Sequence, residues 1–291
     1  MLNPYVSICI PTFNGEQFIV EAMQSAIAQT YSNLEIIVSD DASNDDTLKL
    51  IEQFKEKTNI PIYIYHHKPN GIGANWNHCI KKANGKYIKF LFQDDVLKSN
   101  CIEKMIQVLE TNKSIALVAS KREFIIEVSY LNEETSSWIK RYSNLQATLN
   151  LPLIDGIRYL DKNLFKSILF LDDPKNKVGE PSAVLFNKKL IQKIGYFRED
   201  LKQILDYEFY YRVLKKHKIA VLETELVKFR LHQHQATNVN KGKDASDYYI
   251  YDQLIYKEYF WYLNYKKKVE FLKKYHPMFK LFLRIKRKLR L

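Results

Sequence analysis

The run Gly85-Lys-Tyr-Ile-Lys-Phe-Leu-Phe-Gln-Asp-Asp95 limits the fold more than any other stretch of the chain. Tyr87 to Phe92 reads as a buried strand, a short run of aromatic and β-branched side chains entered by a turn at Gly85. Two adjacent carboxylates, Asp94 and Asp95, stand where that strand ends. A carboxylate without a partner is costly inside a core. At the carboxyl end of a strand in an α/β sheet it lies where such folds bind ligands. Two hard oxygen donors there suit a divalent cation that holds phosphates. For the pair taken alone, a solvated turn is the alternative.

The residues before it supply the sheet. Tyr5 to Ile10, Leu34 to Val38 and Ile60 to Tyr65 are apolar runs of strand character. Helical spacing separates them: Phe18, Ile19, Ala22, Met23, Ala26 and Ile27, then Leu48, Ile51 and Phe54, then Ala74 to Ala83. Asn14, with Gln17 three residues on, is placed to cap the first helix. Strands alternating with helices predict a mostly parallel α/β sheet whose carboxyl ends share one crevice. Thr12 and Asn14, Asp40 and Asp41, and Asp94 and Asp95 are thereby gathered on one edge. Gly71-Ile-Gly73-Ala-Asn-Trp76 imitates a dinucleotide fingerprint, but Trp76 takes the third glycine's place.

Charge placement narrows the function classes. Eleven Lys/Arg and one Glu fall in residues 262–291, so this tail carries +10 of the net +12 and the body only +2. A nucleic-acid-binding body would carry its charge on the folded face, so no nucleic-acid partner is expected. Cys9, Cys79 and Cys101 are few, odd in number and set among apolar residues, which points to a reducing compartment. The N-terminal residues have no basic leader, and no stretch of about 18 uncharged apolar residues is present to span a membrane.

The ordered set Pro11-Thr-Phe-Asn14, Gln29-Thr-Tyr31, Glu35-Ile-Ile-Val-Ser-Asp-Asp-Ala-Ser43, Asp46-Thr47, Asn70-Gly71, Asn75-Trp-Asn77 and Gly85 to Asp95 resembles the family 2 glycosyltransferases. The resemblance is dense over residues 5–97, continues thinly to about residue 237, and does not cover the rest. It implies the GT-A fold and inverting transfer from a nucleotide-diphosphate sugar, such as a UDP- or dTDP-sugar. It implies a donor site that includes Pro11, Thr12, Phe13, Asn14, Asp40, Asp41, Asn70, Gly71, Asn75 and Gln93. Asp40 corresponds to the acid that bonds the base, with Asp41 as its alternative. Mg²⁺ or Mn²⁺ would be held by Asp94, with Asp95 and His232 beside it, Asp95 also bracing the loop. The family's first metal acid is replaced by Phe92. Either water and diphosphate complete the shell or metal dependence is weakened; Mg²⁺ commonly uses one or two carboxylates beside phosphates.

Later stretches extend the pattern. Asn100 to Glu110 is a predicted helix and Ile115 to Ala119 a strand. Ser120 to about Leu171 carries no clear period, and its Trp138, Tyr142 and Tyr159 either shape an acceptor pocket or fill a core. Gly179-Glu-Pro-Ser182 precedes a strand, and Glu180 is either a sugar contact by resemblance or part of a plain turn. Gly195-Tyr-Phe197 resembles a family turn. In Ile204 to Leu214 the resemblance makes Asp206 the catalytic base, a position that also suits a helix cap. Leu205 stands where the family has Glu. Val227 to His232 ends a strand, with Arg230 a candidate phosphate partner and His232 either structural or near the diphosphate. Tyr248 to Tyr265 is a predicted helix. Residues 262–291 mix apolar and cationic side chains, as a helix on an anionic membrane surface does, the alternative being a frayed terminus.

The expected organisation is a GT-A domain over residues 1–240, with a nucleotide-binding half (1–97) and an acceptor and catalytic half (98–240), followed by a helical basic extension (241–291). The expected activity is transfer to a hydroxyl of a glycan or lipid-linked saccharide in bacterial surface polysaccharide assembly, at the cytoplasmic face of the membrane. A non-catalytic GT-A-like binding scaffold is the alternative.

Overall fold

The computed structural model describes residues 5–235 and 246–288. One ten-stranded mixed sheet runs through it. Its strands are β1 (Val6–Thr12), β2 (Leu34–Asp40), β3 (Ile62–His66), β4 (Tyr87–Phe90), β5 (Val96–Leu97), β6 (Ile115–Ile126), β7 (Leu153–Ile154), β8 (Ile157–Leu160), β9 (Val184–Asn187) and β10 (Lys218–Leu231). The order is β3-β2-β1-β4-β9-β6-β10-β8-β7, with β5 paired to β10 off this path. Neighbours from β3 to β4 are parallel, as is β6 with β10, while β9 is antiparallel to both β4 and β6.

The helices are α1 (Ile19–Ile27), α2 (Thr47–Glu52), α3 (Ile72–Lys82), α4 (Cys101–Thr111), α5 (Glu133–Tyr142), α6 (Leu190–Ile194), α7 (Leu205–Leu214), α8 (Ser246–Leu254), α9 (Tyr265–Tyr275) and α10 (Pro277–Lys288). The strand alternation divides two cores. Val6, Ile8, Ile10, Ile36 and Val38 face α1, α2 and α4, while Cys9, Ile37, Ile88 and Phe90 face α3, α7 and the residues after 246. A sheet covered on both faces explains why these strands read as continuous apolar runs.

The amino ends of β1 and β4 are locked by one buried acid. Glu35 accepts from Ser7 Oγ (2.5 Å), the Asn84 backbone NH (2.6 Å) and Asn84 Nδ2 (3.1 Å). Gly85 donates its NH to Ser7 Oγ at 2.8 Å. The need for glycine here is close approach: a Cβ would lie 2.5 Å from the Ser7 nitrogen.

Three features depart from the expected elements. The capping role expected of Asn14 is not taken: α1 starts after Phe18 with no side-chain cap, because Asn14 has φ 45° and turns toward the β2–α2 loop. Beyond Ala119, β6 runs on to Ile126, and the stretch to 171 holds α5, capped by Asn132, and a β7–β8 hairpin turning at Asp155-Gly156. The helix expected over Tyr248–Tyr265 is α8 followed by a wide turn (Ile255–Tyr259) and a tight one (Phe260–Tyr262); Asn264 then caps α9. Tyr251, Ile255, Tyr259 and Phe271 share the core of α7, so the C-terminal helices pack on the sheet domain. The expected boundary at 240/241 and residues 289–291 of the tail lie outside the described residues.

Gly85→Ala is expected to lose about 1–3 kcal/mol through overpacking. Urea unfolding checks it; a loss under about 0.5 kcal/mol would mean that β1 and β4 have room to move apart.

Candidate functional site

The carboxyl ends of β1 and β2 form the first wall. Asp40 has no exposed surface. It accepts from Thr12 Oγ1 (2.8 Å), Ser43 Oγ (2.6 Å) and the Ser43 NH (2.9 Å). These bonds let Asp40, the acid expected at the base, brace the loop, and Thr12 is sealed with it. Asp41 is partly exposed and is held against His67 Nδ1. His67 lies 4.9 Å, ring to ring, from His78, whose Nδ1 meets Ser39 Oγ at 2.7 Å. Burial pushes the Asp41 carboxyl up against the opposing pull of His67. Burial and the neighbouring His67, Lys82 and Lys81 lower the His78 pKa.

Pro11 is buried in β1, whereas Phe13 is 54% exposed and offers an aromatic face at the crevice. Gln93 holds it there, accepting from the Phe13 NH (2.9 Å) and donating to its carbonyl (3.0 Å). Gln93, expected in the donor site, clamps the Phe13 backbone here. Asn14 Oδ1 accepts from the Asn44 NH at 2.8 Å, tying the two loops. Asn70 and Gly71 are exposed at the start of α3. Asn75 is buried beneath the Thr12 carbonyl, 3.4 Å away, and its Oδ1 has no protein partner.

The loop after β4 contains the paired acids, and they face different ways. Asp95 is buried; its Oδ1 accepts the Arg230 NH at 3.1 Å. Burial, then Asp94, push its carboxyl well above the usual range. Asp94 stays partly exposed, with Oδ2 3.1 Å from His232 Nε2. Arg230 is 4% exposed and fully engaged: Nε donates to the Asp94 carbonyl (2.9 Å), Nη1 to Glu127 (3.0 Å) and Nη2 to Glu21 (2.6 Å), with the guanidinium over Phe18. Arg230, the expected phosphate partner, serves here as a structural tie. Phe92 packs 5.0 Å from Trp76, in a cluster with Phe90 and Phe197, so the missing metal acid has become core. Among the described residues no group of three or more His, Cys, Asp or Glu could hold a metal. Asp94 and His232 are the residues that would hold an ion whose shell phosphates and water complete, while Asp95, expected beside them, is turned inward onto the Arg230 NH.

The turn Glu180-Pro-Ser182 joins this loop to the second wall. Ser182 Oγ accepts the Phe92 NH at 2.9 Å, and the Ser182 carbonyl accepts from buried Lys89 Nζ. Glu180, read from sequence as a sugar contact or a plain turn, pairs with Arg122 Nε at 2.5 Å. At the start of α7, Asp206 Oδ2 accepts from Asn176 Nδ2 at 2.8 Å, while Asp206 Oδ1 is enclosed without a partner. Ile204, not Asp206, occupies the cap position. Burial above all, with Glu180 adding to it, pushes the Asp206 carboxyl up to about 7. Leu205 is buried in the core, and Glu208 grips Arg212 at 2.9 Å through both oxygens.

A cleft of about 390 Å³ opens beside Asn176 and Glu180, lined by Trp138, Tyr142, Tyr207 and Tyr248. Tyr159 lines a different groove with Leu149 and Ser167. Asn176, Arg122 and Tyr248 escaped sequence reasoning because they come from a loop, a strand and a helix with no shared spacing.

Since the folded-state pKa of Asp206 is raised, its ionisation costs stability between its unfolded value near 4 and about 7. Asp206→Asn is expected to raise the melting temperature at pH 8, by less at pH 5, and not at pH 3. An advantage independent of pH would contradict this.

The family model described as glycosyl transferase family 2 matches residues 7–195. An uncharacterized glycosyltransferase of Rickettsia prowazekii is 32% identical over 244 residues, covering 81% of this chain and 67% of that protein. One from Haemophilus influenzae is 32% identical over 238 residues, covering 81% and 68%. Residues 1–349 of S. aureus TarS superimpose with a TM-score of 0.61 at 19% identity, over 87% of this chain and 64% of that one. The mannosyltransferase PcManGT of Pyrobaculum calidifontis, solved with GDP-Man and Mn²⁺, gives 0.56 at 13% identity, over 90% and 64%. The chain thus spans about two thirds of the length of these proteins, and about a third of that of a Rickettsia felis relative. The structural matches carry the fold, GT-A as expected, and with the sequence matches they lead to one assignment: the chain belongs to glycosyl transferase family 2.

Proposed function

We propose that the protein transfers a sugar, with inversion, from a nucleotide-diphosphate donor to a hydroxyl of a saccharide acceptor. The observation that carries this is Asp206: a carboxylate beside a cleft, oriented by Asn176, with one oxygen unpartnered and a pKa of about 7. Such a group accepts a proton near neutral pH. The acceptor hydroxyl gives its proton to Asp206 as its oxygen bonds to the anomeric carbon. The bond from that carbon to the diphosphate oxygen breaks, and the nucleoside diphosphate leaves with the electron pair. The chain's contribution is alignment of donor, acceptor and base.

On the donor side, Phe13 provides a face for the base, and Asp41 with His67 provides its polar edge. TarS is solved with UDP and with UDP-GlcNAc, which supports a uridine nucleotide here. Mg²⁺ or Mn²⁺, held by Asp94 and His232 when bound, would offset charge on the leaving diphosphate; the Mn²⁺ complex of PcManGT supports such an ion. The packing of Phe92 into the core favours a second reading, a nucleotide-binding scaffold without transfer.

The tail supports work at an anionic membrane. Met278, Leu281, Phe282 and Ile285 of α10 are exposed beside Lys280, Arg284 and Lys286. No helix among the described residues is long and apolar enough to cross a membrane. Apolar side chains with flanking cations fit the headgroup boundary. This location, at the inner face of the cell membrane, suits a lipid-linked acceptor in surface polysaccharide assembly.

Asp206→Asn is expected to bind UDP as the parent does and to lose at least about 100-fold in transfer or slow UDP-sugar hydrolysis. Unchanged turnover would remove Asp206 as the base, and absence of turnover in the parent with every UDP- and dTDP-sugar would favour the scaffold. Leu281→Glu with Phe282→Glu should abolish co-sedimentation with vesicles containing phosphatidylglycerol; persistent pelleting would exclude α10 as the anchor.

A further inference from the structure

The cleft beside Asp206 has the walls of a sugar-binding site. Its aromatic residues come from three separate elements: Trp138 and Tyr142 from α5, Tyr207 from α7 and Tyr248 from α8. Trp138 and Tyr142 lie 4.9 Å apart, and an edge contact with Phe124 at 5.9 Å steadies the indole. Both are only half-buried, although a helix whose aromatics merely filled a core would bury them. Flat apolar rings beside a few fixed polar groups suit the apolar face and hydroxyl rim of a pyranose. The volume, about 390 Å³, falls within the range of small-molecule sites.

The charges narrow the ligand. Asp173 is paired with Arg141 at 2.6 Å and Glu180 with Arg122 at 2.5 Å. Lys175 sits 4.6 Å over the Tyr248 ring and lines the same cleft. With Asp206 ionised, three cations meet three carboxylates, leaving no surplus positive charge for an acidic group. A uronate or phosphate placed here would face Asp206, Glu180 and Asp173 at close range.

We propose that this cleft holds the terminal ring of the acceptor, an uncharged pyranose stacked on the Trp138–Tyr142 pair, with its attacking hydroxyl toward Asp206. The proposal rests on the reading of Asp206 as the base. It makes Trp138 a residue for acceptor recognition on a helix outside the stretch that binds the nucleotide.

Saturation-transfer NMR on the full chain with saturating UDP tests it. The probes are the methyl glycosides of glucose, galactose and N-acetylglucosamine, and methyl glucuronide. At least one neutral glycoside should receive saturation at its ring protons and methyl glucuronide should not. Trp138→Ala should weaken that binding at least about tenfold, Trp138→Phe should restore most of it, and both variants should keep the parent's affinity for UDP. No binding of any neutral glycoside, preference for glucuronide, or equal binding by Trp138→Ala would overturn the proposal. Parallel UDP-sugar hydrolysis separates the two readings. Hydrolysis without glycoside binding defeats the acceptor cleft and leaves the transferase standing. Glycoside binding without hydrolysis defeats the transferase, and with it the acceptor role, and leaves a sugar-binding cleft.

Discussion

The position of Arg230 decides where the chemistry of this molecule can happen. A guanidinium is costly to bury and tolerable only when its donors are met. Here they reach Glu21 on α1, Glu127 after β6 and the Asp94 carbonyl, while the Arg230 backbone NH holds Asp95. Four elements distant in sequence are thereby drawn to one point at the end of β4. Asp95 is turned inward and Asp94 outward, so the adjacent pair becomes one brace and one exposed carboxylate. Without this tie, like-charged neighbours on a short loop would have no reason to hold one arrangement.

A second constraint works through Ser182. Its hydroxyl fixes the Phe92 NH, and its carbonyl receives buried Lys89. The same turn carries Glu180, whose charge helps raise the pKa of Asp206. The loop after β4 and the candidate base therefore share the Glu180–Ser182 turn as a support. The raised pKa of Asp206 is the other side of this design. A carboxylate enclosed with an unpartnered oxygen costs stability when ionised, and the fold keeps it where proton acceptance is useful.

The parallel part of the sheet was legible because strands buried on both faces spell continuous apolar runs, and the polar clusters at their ends were legible as an edge. Roles within those clusters were harder to read. Asp40 and Asp41 look alike in sequence, yet folding brings Thr12 and Ser43 onto the first and His67 onto the second. Gln93 and Arg230 are residue types that bind ligands elsewhere; their partners here, Phe13 and Asp94, are set by folding. Residues 120–171 stayed opaque because α5 is largely solvated and β7 is two residues long. The aromatic cleft is assembled by elements that share no period, so only Trp138 and Tyr142 could be suspected beforehand, and Tyr159 proved to lie elsewhere.

The central claim is that a nucleotide diphosphate held at the Phe13–Asp41 edge brings its leaving group between Asp94 and the Asp206 cleft. A crystal structure of the protein with UDP and Mn²⁺ tests this most directly. The account predicts uracil on the Phe13 face with Asp41 and His67 at its edge, the ion on Asp94 with diphosphate, and Asp206 facing the space beyond the β-phosphate. Nucleotide bound away from Phe13, or an ion held by Asp95 with Asp94 turned from it, would contradict the account.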